Sequence, residues 1–315
     1  MRIIELDEIE GALARIDLTA AIEAAFVAYS EGSAVVPPVG ELLFENPPGE
    51  VHIKYGYLRG EEHYVIKVAS GFYENPDRGL PSGDGLMMLF EQKTGRPVAV
   101  LLDRARLTDV RTAVAGAIAA RLLAPPRVGT IGIVGTGVQA RLQLLHLRSV
   151  ISCRRVLVWG RRQEALEDYR REMTAEGFEV EVTTIAAAIG ERCELIVTAT
   201  PSRAPLLRAV SIRPGTHITA VGSDTVGKQE LEGEILALAD RVVADSLSQC
   251  RERGEIAHAL EEGSITEEKV VEIGEILAGR AAGRTDARQI TVADLTGLAV
   301  QDVQAAKSVF AACNE

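Results

Sequence analysis

The chain has little of what several protein classes require. Its four cysteines, Cys153, Cys193, Cys250 and Cys313, stand without CxxC spacing, which fits neither a disulfide framework nor a zinc site. They read as reduced thiols in a cytoplasm. The five histidines (His52, His63, His146, His217 and His258) never fall at metal-ligand spacing, so no metal is expected. There is no Gly-x-Ser-x-Gly elbow for a serine nucleophile. The N-terminus, MRIIELDEIEGALARID, lacks an apolar core of signal-peptide length, and no run reaches the roughly 18 apolar residues of a membrane span. Positive charge is short as well. With 34 Lys and Arg against 45 Asp and Glu, the formal charge of −11 argues against nucleic acid or an anionic membrane as partner. A soluble, cytoplasmic protein that binds small molecules is left.

What is present is a glycine turn and a large apolar complement. Apolar residues make up 47% of the 315, enough to bury the cores of two domains. Residues 128–140, VGTIGIVGTGVQA, read as a buried strand entering a tight turn and then a helix. Gly135 permits the turn, Gly137 lets backbone approach a pyrophosphate, and Ala140 lets the helix pack against its strand. The helix start, with Thr136, Val138 and Gln139, offers free N–H groups to the anion. An ordinary strand-to-helix turn is the competing reading.

Downstream, short apolar runs alternate with helical stretches: Arg155 to Trp159, Gln163 to Glu176, Val180 to Thr184, Leu195 to Thr200, His217 to Gly222 and Arg241 to Asp245. This βαβ series predicts a doubly wound parallel sheet with its ligand crevice at the carboxyl ends of the strands. The first part reads as a separate α+β unit. It has a helix from Leu18 to Tyr29, strands around Leu42, at Val51 to Leu58, His63 to Ala69, Gly85 to Glu91 and Pro97 to Asp103, and an apolar helix from Thr108 to Leu123. Pro125-Pro126 marks the junction, giving units 1–126 and 127–295. A last helix, Leu298 to Ala312, lies beyond the second unit and can return to the first.

Several residues are out of keeping with their segments. Lys67 interrupts the apolar β run Tyr64 to Ala69, so it either snorkels at an edge or meets an anion. Arg111 falls in the first turn of a helix capped by Thr108, where a cation is unfavourable unless it serves an anionic ligand; the alternative is a surface pair with Asp109 or Asp103. Asp224 emerges after the strand His217 to Gly222, where it either moves a proton or, with Ser223, caps a short helix through Lys228 to Leu231. Thr198-Ala199-Thr200-Pro201 is either a simple turn or a close approach to a ribose or nicotinamide. Gly160-Arg161-Arg162 follows the second strand in place of the acidic residue that holds the ribose diol of NAD, which points to NADP over NAD.

Taken together, Lys67, LTDVRTA at 107–113, GTGVQA at 135–140, GSD at 222–224 and TGLAVQD at 296–302 resemble the ornithine cyclodeaminase/mu-crystallin family across nearly the whole chain. The resemblance implies a Rossmann-type α/β domain and a second α+β domain, completed by 296–315, for substrate binding and homodimer contact. It implies hydride transfer between a nicotinamide and a small 2-imino acid or cyclic imine and its amino acid. Lys67 and Arg111 would then hold the carboxylate and Asp224 would serve as acid/base. Ser82 joins the substrate candidates, and Thr112 and Val221 the cofactor candidates. Two positions depart from the family pattern: Glu41 follows Pro37-Pro38-Val39-Gly40 where many members carry Arg, and Lys54 stands where an acidic or neutral residue is expected for ornithine. Either the two face the substrate or they pair on the surface. The alternatives for activity are ornithine cyclodeaminase, with catalytic NAD, and a non-catalytic NADP-dependent ligand-binding protein.

Overall fold

The computed structural model describes residues 1–314. It resolves into two compact units, Met1–Arg111 with Leu298–Glu315, and Thr112–Gly297. The division falls inside the helix Arg106–Leu123 and not at Pro125-Pro126. That helix runs unbroken to Leu123, and Ala120 in its later turns joins a core of the second unit.

The first unit is built on a seven-stranded sheet. In spatial order its strands are Arg2–Ile4, Pro97–Leu101, Gly83–Glu91, His63–Gly71, Pro48–Leu58 and Ala34–Val35, with Gly40–Glu45 also paired to Pro48–Leu58. All pairs are antiparallel except Arg2–Ile4 with Pro97–Leu101. Successive residues alternate between faces. Leu58, Val65, Met87, Leu89 and Leu101 point to a core shared with the helices Leu6–Leu13, Thr19–Ser30 and Ala299–Ala312, each large side chain contributing about 1.5–3 kcal/mol by its burial. The alternation also carries Lys54 and Lys67 to that inner face. Opposite, Val51, Ile53, Ile66, Val68, Leu86 and Met88 are only half-buried.

The second unit holds an eight-stranded sheet in the order Glu179–Thr183, Arg155–Trp159, Ile131–Val134, Leu195–Thr198, His217–Ala220, Thr291–Asp294, Arg241–Ala244 and Val270–Glu272. Every pairing is parallel. Helical crossovers bury both faces, which is why the central strands read as unbroken apolar runs and not as alternating ones. The winding reverses between Ile131–Val134 and Leu195–Thr198, the switch point at which doubly wound sheets open a crevice. Among the described residues no helix is long and apolar enough to cross a membrane.

Two local expectations are corrected. The helix expected through Lys228 to Leu231 is a strand, Gln229–Leu231, paired with Arg203–Leu207 in a small parallel sheet of its own. The helix bearing Arg111 starts at Arg106, before Thr108, because Arg104 and Ala105 take left-handed φ of 49° and 66° and Asp103 Oδ2 accepts the Leu107 N–H at 2.9 Å. Asp103 therefore supplies the cap, and Arg111 sits in the second turn.

Candidate active site

At the switch point of the second unit lies a cavity of about 410 Å³. Gly135, Thr136, Gly137, Gly160, Arg161, Ala199 and Thr200 line it, joined by Trp159 and Arg203. Gly135 holds φ +119°, and a Cβ there would stand 2.7 Å from Ala199 O, so only glycine fits between the two loops. A Cβ on Gly137 would meet nothing, leaving open space over the backbone at the start of the helix Val138–Leu147. That helix has no side-chain N-cap, and its first N–H groups suit a pyrophosphate. Arg141 fastens the turn by donating to Thr136 O and Gly137 O. These residues fit a dinucleotide.

Other cofactor candidates stand elsewhere. Val138 and Gln139 follow in the first turn of the helix. Thr198 and Val221 are buried outside the lining, with Val221 N donating to Thr198 O at 3.0 Å. Arg162 is an exposed N-cap residue of the helix Gln163–Ala175. Thr112 O accepts from Gln143 Nε2 at 2.9 Å, next to Gly116, where a Cβ would fall 1.9 Å from Gln143 Oε1. Thr112 thus lies at a close helix–helix contact.

In the first unit, Lys67 and Arg111 converge on one carboxylate. Lys67 Nζ lies 2.9 Å from Asp302 Oδ2, and Arg111 Nε donates to Asp302 Oδ1 at 2.8 Å. Arg111 Nη1 donates to Gln301 Oε1 at 2.8 Å. All four residues are at most 4% exposed. The snorkelling reading of Lys67 and the surface pairing of Arg111 both give way to this buried cluster. Lys54 is the cross-strand neighbour of Lys67 and only 5% exposed, so it does not pair on the surface. Glu41 lies instead opposite His52, 3.3 Å from its Nε2.

Burial would raise the Asp302 carboxyl, but Arg111, Lys67 and Lys54 hold it below the ordinary carboxylate range. Burial lowers Lys67 to about 8 despite Asp302. Burial raises Asp103 to about 6, against the Leu107 N–H and the charge of Lys67. Lys54, Lys67 and Arg111 thus gather about the firmly ionised Asp302, with Asp103 a weaker acid, and the buried Gln301 Nε2 has no hydrogen-bond partner among the described residues. Such a cluster suits an anionic guest, a carboxylate above all.

Asp224 lies in the loop after His217–Ala220, with its side chain 39% exposed. Lys228 Nζ approaches its Oδ1 at 2.9 Å from a buried position. Because Gln229–Leu231 is a strand, Asp224 has no helix there to cap. Ser82 precedes Gly83, which pairs with Gly71, four register positions from the Lys67–Met87 pair and so roughly 13 Å along the sheet. Along the sheet it is not brought to Lys67.

Sequence reasoning missed Asp302, Gln301, Lys228 and Arg203. The first two carried a signal, since they are polar residues on the buried side of the apolar helix Ala299–Ala312. Lys228 carried only its spacing of four from Asp224, and Arg203 carried none, because its place depends on the small sheet joining distant segments.

Comparison with known proteins agrees with this architecture. Residues 2–315 match the Ornithine cyclodeaminase/mu-crystallin family. An alanine dehydrogenase of Archaeoglobus fulgidus is 38% identical over 309 residues, covering 98% of this chain and 94% of that protein. The structure of an archaeal alanine dehydrogenase dimer with bound NAD superposes with a TM-score of 0.89 at 38% identity, over 99% of this chain and 95% of that one. That of Thermococcus litoralis Delta(1)-pyrroline-2-carboxylate reductase in complex with NADH and L-proline gives 0.91 at 29%, over 99% and 97%. A likeness of this extent, in sequence and in fold, places the chain in the ornithine cyclodeaminase/mu-crystallin family.

Proposed function

We propose that the protein is an NAD(P)-dependent oxidoreductase acting between a small 2-imino acid or cyclic imine and the corresponding amino acid. The observation that carries the reading is the buried convergence of the Lys67 ammonium and the Arg111 guanidinium on Asp302. NAD(P), when bound, supplies or takes up the hydride at its nicotinamide. Arg111, with Nε and Nη1 held by Asp302 and Gln301, presents its remaining N–H groups to the substrate carboxylate, and Lys67 adds a point charge. Asp224 gives a proton to the substrate nitrogen as imine becomes amine and removes it in the reverse direction. Holding the imine carbon in one orientation supplies much of the rate.

The test is a panel of pyruvate or oxaloacetate with ammonium, pyrroline-2-carboxylate and piperideine-2-carboxylate, each with NADH or NADPH. Stoichiometric consumption of reduced nucleotide with one of them is the expected result. A second reading, ornithine cyclodeaminase, is favoured by the acidic groups beside the cations. Glu50 and His52 share the inner face of Pro48–Leu58 with Lys54, and Glu41 lies opposite His52, an arrangement that suits a side-chain amine. Proline formed from ornithine with catalytic NAD would establish that reading and reject the first.

For the cofactor we propose NADP. Arg161 lines the cavity at the end of Arg155–Trp159, and Arg203 lines it too. Charge-assisted hydrogen bonds to a 2′-phosphate of roughly 1.5–3 kcal/mol each correspond to a preference of about tenfold or more. Replacing Arg161 and Arg162 together by alanine should reduce the NADPH/NADH ratio of kcat/KM by at least about tenfold; an unchanged ratio rejects the assignment.

The protein acts, in this reading, as a homodimer. The half-exposed apolar face of the seven-stranded sheet needs a cover, and a second copy supplies one of matching character. The similar NAD-bound alanine dehydrogenase is itself a dimer. Sedimentation velocity should show twice the chain mass, and a monomer at micromolar concentration would contradict it.

A further inference from the structure

Three loops at the carboxyl edge of the parallel sheet are packed with no room for a methyl group. A Cβ on Gly135 would meet Ala199 O at 2.7 Å, and one on Gly222 would meet Thr200 O at 2.3 Å and Glu230 Oε2 at 2.5 Å. One carboxylate joins the second loop to the third. Glu230 Oε1 accepts both the N–H and the hydroxyl of Thr200 at 2.7 Å, and Oε2 accepts the Gly222 N–H at 3.0 Å. Glu230 is fully buried and does not line the nucleotide cavity, whereas Thr200 does.

We propose that Glu230 is a positioning residue for the dinucleotide: by tying Thr200 to Gly222 it fixes one wall of the cavity and the start of the loop that carries Asp224. The inference rests on the nucleotide-binding reading above, and it needs no knowledge of the imino acid.

The chemistry of the three donors explains why a carboxylate stands there. Two backbone N–H groups and a hydroxyl converge, and an ionised carboxylate is acceptor-only at both oxygens. A glutamine would turn its NH₂ toward one of those donors. The position is also held from behind. Glu255 Oε1 and Oε2 accept the N–H groups of Glu230 and Leu231 at 2.8 and 2.9 Å, and Oε1 also accepts the Ser223 hydroxyl. Burial and the charge of Glu255 drive the Glu230 carboxyl up to about 8 despite the Thr200 donors, so the acceptor-only form prevails above that pH and the titrations belong at about pH 9. A buried acid placed beside another is unfavourable for folding, so its presence calls for a use beyond joining two loops.

The experiment is isothermal titration calorimetry with NADH and NADPH on wild type, Glu230→Gln, Thr200→Val and Thr200→Ser, with thermal midpoints measured alongside. Glu230→Gln should raise the nucleotide Kd about tenfold and Thr200→Val several-fold, while Thr200→Ser, which keeps the hydroxyl, should stay at the wild-type value. A Glu230→Gln protein with a lowered midpoint and an unchanged Kd overturns the proposal, leaving Glu230 a structural tie only. If Glu230→Gln does not fold, the Thr200 pair decides: equal Kd for Val and Ser overturns it. Wild-type protein that binds neither nucleotide rejects the nucleotide reading itself, and this inference with it.

Discussion

Asp302→Asn should destabilise the protein by about 3–5 kcal/mol in equilibrium denaturation, the usual result of removing one member of a buried ionic group. Asp302 is 1% exposed and lies within 2.9 Å of an ammonium and 2.8 Å of a guanidinium. Asparagine has the same shape but no charge, so Lys67 and Arg111 would repel each other with nothing between them. The substitution should also move a pH limb. Lys67 has its folded-state pKa lowered to about 8, below the unfolded 10.5, so the unfolded chain binds this proton more tightly between those values. The penalty from Lys67 is therefore complete below pH 8 and fades as pH rises towards 10.5. Substrate affinity runs the other way: wild-type kcat/KM should fall as pH rises through about 8 and the ammonium is lost. Asp302 raises the Lys67 pKa, so in Asp302→Asn the limb should begin lower. A variant of wild-type stability with an unmoved limb would remove Asp302 from the cluster.

The parts legible in the sequence were those whose signal is local. The glycine turn, the strands that follow it and the helix Ala299–Ala312 each show a complete period within a dozen residues, and the structure has them within a residue or two. Lys67 was visible because an ammonium in an apolar β run demands an explanation. What answers it was not visible. Asp302 is 235 positions further along, and only the packing of the last helix on the sheet brings it to Lys67. The same holds for Arg111, whose expected neighbours Asp109 and Asp103 were chosen for nearness in sequence. Asp103 proved instead to cap the helix, a role that depends on two left-handed residues that no propensity would place at Arg104 and Ala105. The strand Gln229–Leu231 was misread for a related reason. Three residues carry too little pattern, and Ser223 and Asp224 ahead of them made a convincing helix start.

Asp224→Asn should lower kcat by about 10²–10⁴-fold while leaving calorimetric nucleotide affinity near wild type and lowering the thermal midpoint less than Asp302→Asn does. The expectation follows from what the substitution keeps. Asparagine retains an oxygen for the Lys228 ammonium now 2.9 Å from Oδ1, so the buried lysine keeps a hydrogen-bond acceptor, and the backbone carbonyl that Arg253 approaches at 3.4 Å is untouched. The negative charge opposite Lys228 goes with the proton-exchanging group, but Asp224 is 39% exposed, so the cost should stay below that of Asp302→Asn. Hydride addition to an imine carbon leaves an anionic nitrogen unless a proton arrives with it, so a chemical step without its acid should slow far more than binding weakens. Lys228 sharpens the test. Its ammonium lies 2.9 Å from Asp224 Oδ1, and if it were the proton carrier, Lys228→Met would reproduce the loss in kcat while Asp224→Asn would be mild. If both variants turn over within about threefold of wild type, the proton comes from solvent, and the role of Asp224 reduces to holding Lys228 in place.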